Sequence, residues 1–319
     1  EIGVRLVGSE MCIRDRFIDR TKSRLDSPNS ILFVLKKGGR KMTPSFLFDF
    51  TLKKPKVTLI DEHSDKAAPE NTKNSLNHNL CPYPIPTIEE INKLINSGSY
   101  RIGKSQLISD VFECGAIAVS NMVDLRQTEA REKRYLQIIG KYQKPEQNLI
   151  ANVFSRIYAL LSSVVYDNGK FDDYLGTLFM ANNQGNANAG QFFTPFHISQ
   201  LCAKMSLTEE SVRALVRQNK IITINDPCCG SGGLLLASLD VLQNDYGVNY
   251  ARDCFMDCSD IDARCVHMTY LQLSLAGVPA VIRHQNALTR QQWSVWYTPA
   301  FIFQYPRFCK YDNACASNT

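Results

Sequence analysis

Asp226 closes the β-branched run KIITIND, residues 220–226, and the loop Gly230-Ser231-Gly232-Gly233 follows within a few positions. Glycines at such a place let the backbone turn sharply and approach a ligand closely. A second run, DCFMDCSD (253–260), ends on Asp260. Two carboxylates at the ends of successive strands, with a glycine loop beside them, can accept hydrogen bonds from a diol or face a cation. Each alone is also an ordinary cap for the helix that follows it.

Three nucleotide chemistries compete for such a loop. A phosphate-binding loop of the GxxxxGK[ST] type needs a lysine after its last glycine, and none follows here. The dinucleotide fingerprint needs a third glycine where Leu235 stands. S-adenosyl-L-methionine has no phosphate; it carries a sulfonium, a zwitterionic methionine end and a ribose. Asp226 suits the cationic end, and Asp260 is placed to accept from the ribose hydroxyls, as the acidic residue does in dinucleotide sites. The combination of loop and two acids favours that cofactor over a pair of helix caps.

The elements around these residues are readable. GLLLASLDVLQNDYG is expected to be a helix closed by Gly247, and DIDARCVHMTYLQLSLAG a second one stopped by Gly277. AVIRHQ (280–285) is a third strand. Strand, glycine loop, helix, strand, acid, helix, strand is the βαβαβ half of a doubly wound sheet with parallel strands. Upstream, Thr87 and Glu90 read as a capping box opening a helix. Apolar residues in QNLIANVFSRIYALLSSVVY recur at three and four, so residues 87–180 are expected to form a helical domain. ANNQGNANAG (181–190) is a loop by composition.

Composition adds exclusions. The 319 residues carry a net charge of +5, with 44% apolar and 21% charged residues, an ordinary globular balance. No run approaches the roughly 18 apolar residues of a membrane span, so no membrane role is expected. Residues 1–41 hold 10 Lys+Arg against 5 Asp+Glu, and the remainder holds 26 of each. Bulk charge therefore gives no argument for a nucleic-acid partner. The opening EIGVRLVGSEMCIRDR resembles translated sequencing-adapter DNA, and KKGGRK before Met42 can encode a ribosome-binding site. Residues 1–41 are thus expected to be a translated leader outside the native protein, and 42–86 an irregular segment. The eleven cysteines show no C-x-x-C, which fits free thiols of a reducing cytoplasm rather than a metal site.

GQFFTP (190–195), DPCCGSGG (226–233) and DIDARCVHMTYLQLSLAGV (260–278), in that order, resemble the N6-adenine-specific DNA methyltransferase family. The nearest group is the methylation subunit of type I restriction–modification systems and its mobile-element relatives. The resemblance covers about residues 90–290. It implies an α/β fold: a Rossmann-like doubly wound methyltransferase sheet over 186–319, incomplete at its C-terminus, preceded by the helical domain. It implies S-adenosyl-L-methionine as cofactor, double-stranded DNA as substrate, and a separate DNA-specificity subunit. Position by position it assigns cofactor contacts to Gln191, Phe192, Phe193, Thr194 and Pro195, to Asp226, Cys228, Gly230, Ser231, Gly232 and Gly233, and to Asp260. FFTP also reads as a helix entry, with Thr194 as N-cap and Pro195 first in the helix. Asp262 is expected to open its helix and His267 to be a packing or surface residue.

Two positions depart from the family pattern. Asn286 stands where the family has an acid for the cofactor's adenine amino group, so a charge-assisted bond would become a neutral one. The family's catalytic Asn/Asp/Ser-Pro-Pro-aromatic motif, which accepts the hydrogens of a flipped adenine's amino group and stacks on the base, has no counterpart. The nearest string is Thr298-Pro299-Ala300-Phe301, a degenerate candidate of which WSVWYTPAFIFQY would otherwise be ordinary core. A non-catalytic methyltransferase-like module that binds cofactor or partner proteins is the alternative reading.

Overall fold

The computed structural model describes residues 85–98, 101–166, 170–182 and 193–312. The expected leader 1–41, nearly all of the irregular segment 42–86, and Gln191 and Phe192 lie outside them. The described residues fall within one compact unit, Asn79–Thr319.

Among the described residues five helices come first: α1 (Ile88–Asn96), α2 (Lys104–Asn121), α3 (Thr128–Ile139), α4 (Lys144–Tyr166) and α5 (Tyr174–Asn182). α1 starts as its sequence requires, with the Thr87 hydroxyl accepting from the Glu90 N–H and the Glu90 carboxylate accepting from the Thr87 N–H. By length and composition, residues Lys144–Val165 could cross a membrane. In the fold, α4 presents Ile150, Val153, Ile157, Leu160 and Leu161 to the protein core, as the helical spacing of those residues directs.

α6 (Phe196–Ser206) and α7 (Glu209–Arg217) lead to a four-stranded sheet: β1 (Ile222–Asp226), β2 (Cys254–Asp260), β3 (Ala280–Gln285) and β4 (Gln292–Tyr297), in that spatial order. β1, β2 and β3 are parallel, as the βαβαβ pattern requires. β4 was not expected from the sequence; it returns antiparallel along β3 after a short turn. The helices between strands are α8 (Gly233–Asp240), continued by a π-turn through Asp245, the short α9 (Tyr250–Asp253), and α10 (Ala263–Leu275). α11 (Pro299–Phe303) and α12 (Tyr305–Phe308) follow β4.

Helices cover both sheet faces, a Rossmann-like arrangement. On one face Met256, Cys258 and Ile282 join a core that runs from Ile91 to Trp296, so helices α1–α5 and the sheet share it. On the other, Phe255 and Val281 pack with Phe301 and Phe308. β2, covered on both sides, is apolar along most of its length, as a central parallel strand must be. Arg131 of α3 adds a polar tie: its guanidinium lies 4.0 Å from the Trp296 ring centre, donates to the Val295 carbonyl at 2.9 Å and pairs with Asp124 at 3.0 Å.

Candidate functional site

The parallel register puts Asp226 opposite Cys258 and Asp260 opposite His284, so both acids stand at the carboxyl edge of the sheet. The loop between β1 and α8 is stitched to β2 and α10 at each step. The Cys229 N–H donates to the Ser259 carbonyl at 2.9 Å, and the Ser259 hydroxyl to the Pro227 carbonyl at 3.0 Å. The Gly230 N–H donates to Asp260 Oδ2 at 2.9 Å, and Asp260 Oδ1 accepts from the Asp262 N–H at 2.8 Å. The Thr269 hydroxyl holds the Gly230 carbonyl at 2.9 Å, and Gln272 Nε2 the Ser231 carbonyl at 2.7 Å. Gly230 and Gly232 adopt φ of 57° and 94°, the left-handed region that glycine enters at no steric cost.

One further carboxylate lies under the loop. Asp173, at the entrance to α5, is 5% exposed. Its Oδ2 accepts from the Ser231 hydroxyl in a short bond. Its Oδ1 accepts from Gln272 Nε2 and from the Gly176 N–H, each at 2.9 Å. The Gln272 carbonyl oxygen in turn accepts from the Leu175 N–H at 3.2 Å. A side chain on Gly233 would meet Asp173 Oδ2 at 3.1 Å, which places this carboxylate at the first turn of α8. The unpaired N–H groups of a helix start attract an anion; here the protein supplies one itself.

Burial raises the pKa of Asp173 above the usual carboxylate range, against the three hydrogen bonds. Burial also raises Asp226, helped by the nearby charge of Asp260 and opposed by the Cys228 N–H that Asp226 accepts at 3.1 Å. Desolvation, then the charges of Asp260 and Asp226, push the Cys228 thiol up, so it stays a thiol. The site is therefore electronegative, with its acids converging on the glycine loop.

Other expected residues fall variously. Phe193 packs on the loop, its ring 3.2 Å from where a Gly230 side chain would begin and 5.7 Å from the Phe179 ring centre. Thr194 and Pro195 are exposed beside it. Pro195 itself is the N-cap of α6, without a side-chain cap bond, which corrects the assignment of that role to Thr194. Asp262 does open α10, accepting from the Arg264 N–H at 2.9 Å. His267 is buried, edge-on to Trp296 at 5.1 Å.

Two expectations need correction. Asn286 lies at the end of β3, but its Oδ1 accepts from the N–H groups of Leu288 and Thr289 at 2.9 and 3.1 Å. Those bonds shape the turn into β4 and occupy both lone pairs that an adenine amino group would need. The degenerate candidate Thr298, Pro299 and Phe301 sits at the wrong end of the sheet. β4 runs against β3, so Thr298 meets Ala280, the first residue of β3, with its hydroxyl accepting the Ala280 N–H at 2.9 Å and donating to the Val278 carbonyl at 2.8 Å. Pro299 starts α11, and Phe301 is buried against Phe255. A six-residue strand spans about 17 Å, so this string and the acids occupy opposite edges.

Ser259, Thr269, Gln272 and Asp173 are the loop's supports that sequence reasoning did not single out. Thr269 and Gln272, three apart on α10, share the face toward the loop. Asp173 in FDDYLG carries only the signal of a helix cap.

Among known proteins, the model of the N-6 DNA Methylase family matches residues 171–318. No curated protein sequence matches. A structure described as a candidate class I S-adenosylmethionine-dependent methyltransferase from Listeria monocytogenes is 14% identical, with 67% of this chain and 77% of that one covered, at a TM-score of 0.32. The methyltransferase subunit of a type I restriction–modification system from Streptococcus thermophilus is 18% identical at a TM-score of 0.30; the match covers 62% of this chain and 39% of that subunit. The fold reading rests on strand order and register rather than on these likenesses. The cofactor that the family implies is S-adenosyl-L-methionine. The matched segment begins at Phe171, two residues before the buried Asp173, and runs through the glycine loop and the whole sheet; over residues 171–318 this chain is similar to the N-6 DNA methylase family.

Proposed function

We propose that this chain is the cofactor-binding part of an adenine-specific DNA methyltransferase, which transfers a methyl group from S-adenosyl-L-methionine to N6 of a flipped adenine in double-stranded DNA. The observation that carries the reading is the pairing of Asp226 and Asp260 at the carboxyl edge of the sheet across a glycine loop with two left-handed glycines, inside the matched family segment.

The residues fit a cationic, phosphate-free ligand. The start of α8, where a phosphate would otherwise be drawn, already has the Asp173 carboxylate against it. Asp226 faces the cationic methionine end. Asp260 spends one lone pair of each oxygen on Gly230 and Asp262, which leaves the others to accept the ribose hydroxyls. Phe193 covers the loop and excludes water from its side. Bound there, the cofactor supplies an activated methyl on sulfur. Cytoplasmic location and a separate DNA-specificity subunit complete this reading.

A second reading is favoured by one observation: Thr298 and Phe301 serve as core at the far edge, so this degenerate form of the catalytic motif does not face the site. On that reading the chain binds cofactor or a partner without transferring a methyl group. Calorimetric titration of S-adenosylmethionine into the full chain, with Asp260→Ala beside it, tests the cofactor site. Transfer of tritiated methyl to double-stranded DNA then separates the two readings. Folded wild-type chain that binds no cofactor would end the first reading and leave only the partner-binding form of the second.

A further inference from the structure

Asp173 lies 58 residues before Ser231, ahead of every strand among the described residues, yet its carboxylate accepts from the Ser231 hydroxyl. Among the described residues the hydrogen-bond partners of its carboxylate are uncharged, namely the Ser231 hydroxyl, the Gln272 amide and the Gly176 N–H, while its backbone N–H donates to the Asp172 carboxylate at 2.7 Å. Two glycines leave it room. A side chain on Gly176 would fall within 2.1 Å of Asp173 Oδ2, and one on Gly233 within 3.1 Å. Space has been cleared on both sides of one buried carboxylate, once in the helical segment and once in the cofactor loop.

We infer that Asp173 is a positioning residue: its buried carboxylate, acting through Ser231 and Gln272, holds the Gly230–Gly233 turn in the conformation that receives the cofactor. This rests on the cofactor reading given above and deepens it. Three donors converge on one group, so the loop cannot shift without leaving a buried donor or the carboxylate unmatched. Gln272 makes the arrangement reciprocal, since its amide N–H2 binds both Asp173 and the Ser231 carbonyl while its oxygen takes the Leu175 N–H. The helical segment thereby reads out on the loop: anything that moves the start of α5 moves Ser231.

The test uses the full chain and three variants. Asp173→Asn keeps one acceptor for the Gly176 N–H and the Gln272 amide and loses the charge that Ser231 addresses. Asp173→Ala removes every acceptor. Leu107→Ala, a buried change outside the site, controls for lost stability. Hydrogen exchange of the peptide spanning residues 228–236 is followed without ligand, and S-adenosylmethionine affinity by calorimetry. Loop exchange should accelerate about 10-fold or more in Asp173→Asn and further in Asp173→Ala, with affinity weakened in the same order, while Leu107→Ala leaves both unchanged. Unchanged loop exchange in folded Asp173→Asn would overturn the positioning role, as would equal weakening of affinity in Leu107→Ala. Loop exchange that accelerates as stated in the Asp173 variants, alongside a folded wild-type chain that binds no S-adenosylmethionine, would overturn the cofactor reading instead.

Discussion

The carboxylate of Asp260 binds the Gly230 N–H through one oxygen, at 2.9 Å, and the first turn after β2 through the other. One side chain therefore joins the strand end, the glycine loop and the entry to α10. Asp260→Ala strands both N–H groups, at a cost of about 1–3 kcal/mol for each buried donor. We expect Asp260→Ala to lower the unfolding free energy by a few times less than the sum, since water can enter at the edge, and to abolish cofactor binding. Asp260→Asn keeps one acceptor and should retain more stability than the alanine variant. Denaturant titration together with calorimetry checks both; an alanine variant that binds as wild type would remove Asp260 from the site.

The glycines separate strain from crowding. Gly232 has φ of 94°, and a side chain there would meet Thr269 Oγ1 at 3.1 Å, whereas Gly277 has φ of 73° with open space around it. Both substitutions to alanine force a left-handed backbone, worth about 1–2 kcal/mol. Only Gly232→Ala also pushes on the hydroxyl that holds the Gly230 carbonyl. Gly232→Ala should therefore be the more destabilising in urea and should weaken cofactor affinity, while Gly277→Ala leaves affinity intact. Equal effects on affinity would show that loop shape is not what the ligand reads.

Much of this was legible in the residues. The three parallel strands announce themselves as runs of strand length, the first two of which end on an acid, and the capping box at Thr87 marks α1 to the residue. β4 was not legible. Its WSVWY core is short, and nothing local distinguishes an antiparallel return from a crossover; the turn at Asn286 decides it, by spending the side-chain oxygen on its own backbone. That one turn also moves Thr298 to the far edge, so the place of the degenerate candidate string and the missed strand have a single cause. Asp173 escaped notice for another reason: its sequence signal is that of a cap, and its contact with Ser231 exists only in three dimensions.

His267 offers a pH prediction with a definite sign. Burial holds its pKa down, at about 4 against the ordinary 6.5. The unfolded chain then binds the proton first as pH falls, so stability is intact above about 6.5 and is lost progressively down to about 4. The loss from this group approaches about 3 kcal/mol. The raised carboxylates Asp173, Asp226 and Asp257 act oppositely: they bind protons more readily when folded, and their contribution falls as pH rises through their elevated values. His267→Phe keeps an aromatic ring against Trp296 and removes only the titration. Its unfolding free energy should exceed its own neutral-pH difference from wild type by that amount at pH 4. Parallel pH curves for the two proteins would mean that His267 takes up its proton in the fold as readily as in the unfolded chain.

Thr298 decides whether its string is catalytic or structural. Its hydroxyl accepts from the N–H groups of Ala280 and Phe301 and donates to the Val278 carbonyl at 2.8 Å, with the Ala280 carbonyl a second acceptor at 3.3 Å. Thr298→Val preserves shape and removes every bond of the hydroxyl, leaving the Ala280 N–H buried without a partner, which costs about 1–3 kcal/mol. Because Thr298 stands at the edge of the sheet where β3 begins, and Asp226 and Asp260 where β1 and β2 end, this loss should not reach the cofactor. The expected result is a lower denaturation midpoint with unchanged S-adenosylmethionine affinity. Tritiated methyl transfer, if wild type shows any, should persist in Thr298→Val at a temperature where the variant is folded. Transfer abolished in a folded Thr298→Val with intact cofactor binding would place the hydroxyl at the target base after all, and would require the β3–β4 hairpin to rearrange when DNA binds.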